Sequence, residues 1–487
     1  MDRSTEVELK LEFAPSDRDR LMASPLLARG GTRKRLKATY FDTPALDLRH
    51  AGFTLRIRHD GSERLQTVKT ADGASLLCRG EWEQPVEDDQ PVLDVRAGPL
   101  RDRISEARLR RLAPLFTTDV ERIGTRLDLS GATMIECTID SGLVSADRKS
   151  ARISEIELEL IEGSPQSLFD LARRLDAHAP LRLGVQSKSA RGYALTDRNR
   201  GGAVKAAPVA LTPKMTAAQA FAAIAANCVA QYRLNEALLL DGGGPEAVHQ
   251  ARVAIRRLRS AFSLFSPLFS NDGQAAHIKA ELRWLGAEFG AIRDLDVLLT
   301  RLRPHERAVL SAGRADRFAH LHALIESGRV RFLPVDIVEW LEIGRWRMAA
   351  VDNALRDAPV RQLAGKRLDG MRRRIKCDGH DLAELSDERR HQLRKEAKKI
   401  RYASESLAAL YPSRKARTRM NGFLGSLERL QDALGQLNDD ASTAALLALY
   451  SSDIEVPLLG EKRRRGLMEK AESAINDLIG CRRFWRA

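Results

Sequence analysis

Two hydrophobic periods divide this chain, and the change between them limits its fold more than any other feature. In the first 200 residues apolar positions alternate with polar ones in short runs. Examples are EVELKLEF (6–13), TLRIRH (54–59), RLQTVKT (64–70), GEWEQPV (80–86), RIGTRLDL (122–129), TMIECTID (133–140) and ARISEIELEL (151–160). A period of two gives each strand one apolar and one polar face. Many such strands with short connections predict an antiparallel sandwich or closed barrel. Helical signals are few there, the best being 101–116 and 164–180. The stretch RNRGGAVKAAPVALTPKM (198–215) breaks the pattern, and helical periodicity then runs to about residue 480. The expected organisation is a strand-built domain over 1–200, a linker over 201–213 and an all-α domain over 214–480.

Charge follows the same division. The chain carries 80 Lys+Arg against 66 Asp+Glu, a net of +14. Residues 1–200 hold 33 basic and 32 acidic residues; the remainder therefore holds 80 − 33 = 47 against 66 − 32 = 34, a net of +13. A polyanion-binding surface is expected in the helical half. The five cysteines form no CxxC pair, which argues against a disulfide framework or a thiolate metal site. No secretory h-region opens the sequence, and no apolar run approaches a membrane span. These features predict a cytoplasmic protein that makes no use of a membrane.

The polar faces of the first half are segregated by sign. Glu6, Glu8, Lys10 and Glu12 share one face of EVELKLEF. Arg56 pairs with Arg58, Glu81 with Glu83, Glu136 with Asp140, and Glu155 with Glu157 and Glu159. Arg122 and Arg126 share a face, Lys69 lies in TVKT, and Lys188 and Arg191 lie in SKSARGY. For a single strand such a face belongs in water. Jointly, single-sign faces with few Ser, Thr, Asn or Gln suggest an interior. Carboxylates offer hard oxygen ligands to Mg²⁺ or Mn²⁺, and Arg and Lys hold phosphate oxygens. Together they suit a metal–polyphosphate ligand.

EVELKLEF carries the Glu-x-Glu-x-Lys pattern of the CYTH domains, also called triphosphate tunnel metalloenzymes. YFDT (40–43), TLRIR, VKT, RGEWE (79–83), TDVER (118–122), ECTIDSG (136–142), EIELEL and SKSARGY follow in order. This part of the chain thus resembles that family, which implies an eight-stranded antiparallel tunnel binding triphosphate with a divalent metal. Carried over, Glu6, Glu8, Asp140, Glu155 and Glu157 are the metal ligands. Lys10, Arg56, Arg58, Lys69, Arg122 and Lys188 hold phosphates, with Arg126 and Arg191 as additions. Glu6, Glu8, Lys10 and Lys69 lie nearest the chemistry. The choice between Arg122 and Arg126 as main contact stays open, since TDVERIGTR lacks the aromatic that many relatives place after the Arg.

The helical half repeats itself. VHQARVAIRRLRS (248–260) and RHQLRKEAKKIRY (390–402) share His-Gln-x-Arg-x-x-x-[Arg/Lys]-[Arg/Lys]-x-Arg. FGAIRDLD (289–296) and LGQLNDDA (434–441) follow them, the His-to-Gly gaps being 290 − 249 = 41 and 435 − 391 = 44. Two related helical bundles are expected. His249, Arg252, Arg256 and Arg259 form a basic stripe on one helix, and His391, Arg394, Lys398 and Arg401 on the other; Arg257 and Lys399 adjoin them. The repeat resembles the CHAD domain, which implies two four-helix bundles with a basic groove binding inorganic polyphosphate. No aromatic alternates with the stripe bases, which disfavours nucleic acid.

The combined expectation is a metal-dependent inorganic triphosphatase, a hydrolase of phosphoanhydride bonds, with an appended polyphosphate-binding domain and an association with polyphosphate granules. A non-catalytic granule-targeting scaffold and a tunnel enzyme for thiamine triphosphate or ATP are the alternatives.

Overall fold

The computed structural model describes residues 3–28, 30–61, 63–70, 77–93, 100, 103–129, 132–197, 202–347, 353–450 and 459–486; residues 3–6, 78–79, 309, 353 and 439–450 are described as backbone alone. Two compact units are present. One comprises 1–202 with 327–344, and the other 203–326 with 345–487.

The first unit is a closed antiparallel ring. Its strands are β1 (Arg3–Phe13), β2 (Thr32–Asp42), β3 (Phe53–Asp60), β4 (Glu63–Thr70), β5 (Cys78–Pro85), β6 (Ala113–Leu129), β7 (Thr133–Ala146) and β8 (Lys149–Glu162). The order is β5-β4-β3-β2-β6-β7-β8-β1, and β1 pairs β5 to close the ring. Closure removes every free edge among these eight strands. A ninth strand, β9 (Leu181–Leu183), adds to β1 outside the ring, one more than the eight expected. The helix expected over 101–116 is a single turn, Glu106–Leu109, and from Ala113 the chain is already strand.

Helices decide which strand face points inward. The apolar face of β1, with Leu9 and Leu11 at 1% and 0% exposure, is covered from outside. Helix α1 (Gln166–Asp176) packs on β1, β8 and β9. The charged face therefore lines the ring. One end of the interior is filled by Tyr40, Phe116, Val120, Val144 and Ile153, closed by Tyr193 and Leu195 of helix α2 (Lys188–Thr196). Tyr40 stacks on Phe116 at 4.6 Å, and Tyr193 meets Phe116 edge-on at 5.2 Å. Gly192 permits this approach, since a Cβ there would stand 2.1 Å from the Phe116 ring. SKSARGY, grouped with the strands on sequence, is thus a helix that plugs the ring.

The second unit pairs two helical bundles. α3 (Ala217–Leu240), α4 (Pro245–Leu264), α5 (Gly273–Arg301) and α6 (Pro304–Glu326) pack in sequence. Between the bundles in the chain lies α7 (Gly328–Ile343), which belongs to the first unit and packs on β9 and α1. Its Trp340, Val335 and Val338 are fully buried, and Arg173 of α1 bonds its Asp336 and Glu339. α8 (Val360–Asp378), α9 (Asp387–Ser406), α10 (Arg414–Tyr450) and α11 (Glu461–Gly480) form the second bundle. Local signals start these helices: a Thr216–Gln219 capping box for α3, Pro245 at the start of α4, and Asp272 and Ser386 caps for α5 and α9. The repeat helices α4 and α9 pack directly against each other. No helix among the described residues is long and apolar enough to cross a membrane.

Candidate functional site

Strand register sets charged residues in rungs across the ring wall. Glu8 aligns with Glu159, Glu136 and Arg126; Lys10 with Glu157 and Thr138; Glu12 with Glu155, Asp140 and Arg122. Helix α2 adds Lys188 and Arg191 from the plugged end, its start capped by Ser187 accepting from the Ala190 amide.

The last two rungs and α2 form one buried cluster. Lys188 Nζ stands 2.5 Å from Glu155, 2.6 Å from Asp140 and 3.0 Å from Glu157. Lys10 Nζ lies 2.6 Å from Glu157, 3.4 Å from Glu155 and 3.8 Å from Glu8. Arg122 donates to both Asp140 oxygens at 2.7 and 2.6 Å and to Glu157 at 2.7 Å. Arg191 donates to Glu12 and stands 3.7 Å from Glu155 Oε2. Unpaired, these ions would be too costly to bury; paired, they offset one another. Burial opposes charge on Lys188 and Lys10, but the neighbouring carboxylates, Glu155 and Glu157 foremost, outweigh it and hold both above the usual lysine range. Glu157 is likewise held well below the carboxylate range, its burial overcome by Lys10, Lys188 and Arg122. Asp140 is lowered in spite of burial by Lys188 and Arg122.

The opposite wall carries a second, looser set. Lys69 Nζ is 2.7 Å from Glu81, Arg56 4.0 Å from Glu81, and Arg58 3.7 Å from Glu83. Burial opposes the Arg56 charge, but Tyr40 and Glu81 raise its pKa; Arg58 is lowered by burial and by Arg56. Glu159 is pushed up by burial and by Glu136 and Glu8.

Asp140, Glu155 and Glu157 can hold a metal ion: one oxygen of each lies within 4.8 Å of the others. Three carboxylates are the donor type that Mg²⁺ and Mn²⁺ take. Asp140 and Glu155 are 0% exposed, and Glu155 Oε2 accepts no hydrogen bond among the described residues. These residues fit the expected metal. Glu8 sits one rung from Glu157 and two from Asp140 and Glu155, while the Glu6 side chain lies outside the described residues, its backbone pairing Arg79. Arg122 is in the cluster; Arg126 is exposed beside Glu136. Glu12, left without a role on sequence, is the partner of Arg191.

In the second unit the two stripes meet in a groove of about 420 Å³. Arg252, Arg256 and Arg259 of α4 line it with His391, Arg394, Lys398 and Lys399 of α9. No carboxylate is among its lining residues. Burial and the neighbouring Arg256, Arg394, Arg252 and Arg401 push Lys398 down to about 6. Burial lowers Arg256 as well, and its guanidinium lies 5.6 Å over the Tyr402 ring. Arg401 approaches the same ring at 5.3 Å. The second repeated motif now has a reason. A Cβ on Gly290 would stand 3.3 Å from Arg252 Nη2, and one on Gly435 3.0 Å from Arg394 Nη2. Each glycine lets a stripe arginine lie flat across the neighbouring helix.

Three stripe residues sit elsewhere. Arg257 is buried on the bundle side, donating to Gln231 at 2.8 Å and Asn227 at 3.0 Å, so it does not face the groove. Adjacent helical positions point about 100° apart, which is why a neighbour of Arg256 turns away. His249 is absent from the groove lining, and burial with Arg293 lowers it. Arg401 reaches the groove only through Tyr402. The groove also contains Lys279 and Arg283 of α5 and Lys395, which the stripe reading missed. Lys279, Arg283 and Gly286 recur at i, i+4 and i+7, a face the sequence could have revealed. A neighbouring cavity of about 380 Å³ shares Lys279 and Lys399 and adds Lys366 and Arg374 of α8.

Comparison with known proteins agrees with both halves. The CYTH domain family model matches residues 4–193 and the CHAD domain model residues 223–448. An inorganic triphosphatase of Haemophilus influenzae is 32% identical over 162 residues, 32% of this chain and 45% of the relative, so the chain spans under half of that relative's length. Among solved structures, the CHAD domain of the plant Ricinus communis is 22% identical, with TM-score 0.48 over 57% of this chain and 97% of its own. A Hippeastrum protein described as an adenylyl cyclase with a dominant triphosphatase activity is 18% identical, with TM-score 0.31 over 40% of this chain and 98% of its own. The chain thus joins an N-terminal CYTH domain to a C-terminal CHAD domain.

Proposed function

We propose that the ring hydrolyses inorganic triphosphate to pyrophosphate and phosphate with Mg²⁺ or Mn²⁺, and that the helical groove binds inorganic polyphosphate. The observation that carries the first part is the buried cluster in which Asp140, Glu155 and Glu157 meet Lys10, Lys188 and Arg122. The name of the Haemophilus relative supports the same reading.

Asp140, Glu155 and Glu157 would hold the metal, with Glu8 near them and Glu6 a further candidate from the sequence. When bound, it supplies Lewis-acid polarisation of phosphoryl oxygens and an acidified water. Arg122 presents a planar fork to phosphate oxygens, while Lys10 and Lys188 act as point charges. Arg56, Arg58 and Lys69 face them from the other wall, so a linear triphosphate is held along its length and charge developing on the leaving pyrophosphate is neutralised. The apolar plug of Tyr40, Phe116 and Tyr193 excludes water from one end and favours end-on binding. In the second unit, a groove lined by Arg and Lys with no carboxylate suits a repeating anion.

A phosphate-release screen tests this, over inorganic triphosphate, thiamine triphosphate, ATP and long polyphosphate, each with Mg²⁺ and Mn²⁺. Triphosphate is expected to turn over fastest, and Glu8→Ala to abolish release while sparing polyphosphate binding. Arg256→Ala combined with Lys398→Ala should do the reverse. Full activity in Glu8→Ala overturns the tunnel assignment. Faster release from thiamine triphosphate or ATP overturns the substrate.

A further inference from the structure

The tunnel carboxylates are already occupied by the protein's own cations. Lys188 Nζ lies within 3.0 Å of all three carboxylates, Lys10 bonds Glu157 at 2.6 Å, and Arg122 bonds Asp140 and Glu157. Three carboxylates thus face three cations charge for charge, with Glu8, 3.8 Å from Lys10, as a further carboxylate at the edge. Asp140 and Glu155 are fully buried, so little water screens any imbalance. A divalent ion arriving alone would have to displace Lys188 from its ligands. It would also add two positive charges to a closed ring where only Glu8, 3.8 Å from Lys10, is left to offset them, and Lys188 would lose its three carboxylate partners. That is the costly way to disturb a buried ionic network. Triphosphate removes both obstacles. Its oxygens accept the displaced ammonium groups, and its negative charge balances the metal.

Resting on the triphosphatase reading, we propose that Lys10 and Lys188 hold the metal site shut until triphosphate arrives, so that metal and substrate bind as a coupled pair. The lysines change partner, from carboxylate to phosphate, as the ligand enters. They are positioning residues for the metal as well as contacts for the substrate. The result is a site that ignores free divalent ions and responds to the polyphosphate chain.

The sign of the consequence is unusual: removing a cation should improve metal binding and impair substrate binding. Mn²⁺ uptake by the full chain is followed by electron paramagnetic resonance of the free ion without triphosphate. The share lost in Asp140→Asn defines the cluster. Lys188→Met and Lys10→Met are each expected to bind that Mn²⁺ about tenfold more tightly than wild type, the effect of deleting one adjacent like charge. Both should bind triphosphate more weakly in the absence of metal. Equal or weaker Mn²⁺ binding in either folded variant overturns the proposal. The wild-type chain gives a second arm that needs no variant. Saturation with non-hydrolysable imidotriphosphate, corrected for metal held by the free analogue, is expected to tighten Mn²⁺ binding at the cluster, and unchanged affinity overturns the coupling. If Asp140→Asn removes no Mn²⁺ under any condition and leaves phosphate release intact, the tunnel reading itself fails, and this one with it.

Discussion

Lys398 offers a sharp test of the helical groove, because its charge is conditional. Burial comes first among the causes, followed by Arg256, Arg394, Arg252 and Arg401, and together they push its pKa from 10.5 to about 6. Lys279 and Arg283 face the same groove from α5, so every charged side chain lining it is basic, apart from His391. At pH 8 only about one Lys398 in a hundred is charged in the free protein. A bound polyanion supplies the missing counter-charge and returns the ammonium toward its ordinary range. Binding at pH 8 therefore takes up close to one proton per groove. Linkage gives the sign: affinity falls as pH rises above about 6, by up to about tenfold per unit. From pH 6 to 8 the loss reaches about fiftyfold, or ~2.3 kcal/mol. His391 and His249 are both lowered, by burial and nearby basic groups, so they are neutral over the upper part of this range. Calorimetry in buffers of different ionisation enthalpy, at fixed salt, measures the proton uptake directly. Lys398→Met should abolish both the uptake and the slope between pH 7 and 8. No net proton uptake at pH 8, or an unchanged slope in Lys398→Met, refutes the reasoning.

Other expectations follow from single contacts. Gly435→Ala places a methyl 3.0 Å from Arg394 Nη2 and should displace that arginine, weakening polyphosphate binding several-fold with little change in melting temperature; Gly290→Ala, at 3.3 Å from Arg252, should act in the same direction and less strongly. Arg257→Ala loses bonds to Gln231 and Asn227 and should cost about 1–3 kcal/mol in denaturant unfolding while leaving polyphosphate affinity unchanged. Trp340→Ala should cost about 3–5 kcal/mol and lower the unfolding transition of the ring unit, read by loss of phosphate release on heating, because this fully buried residue belongs to that unit. Arg122→Lys keeps the charge but loses the two-pronged contact with Asp140, and should reduce phosphate release about tenfold or more, whereas Arg126→Lys should be close to neutral.

Much of this was legible because periodicity is local. Alternation alone placed Glu8, Lys10 and Glu12 on one face of β1, and Glu155, Glu157 and Glu159 on one face of β8. The repeat of α4 and α9 announced itself through matched spacings, and the caps at Thr216 and Ser386 are readable from a few residues. What periodicity cannot say is which face is inside. That depends on β1 pairing β5 to close the ring and on α1 covering Leu9 and Leu11, which are contacts between distant segments. The same limit hid α2, whose Lys188 meets Glu155 only because a short helix plugs the ring. It also hid Arg257, which shares a basic run with Arg256 yet turns into the bundle. Helix α7 is the clearest case. Its sequence reads as one more apolar helix among helices, and only burial of Trp340 and the pairing of Arg173 with Asp336 place it with the strands. The sequence by itself determined which residues share a face and which carry charge. The tertiary structure decided which faces meet, because burial and long-range pairing belong to the closed chain and not to any one segment.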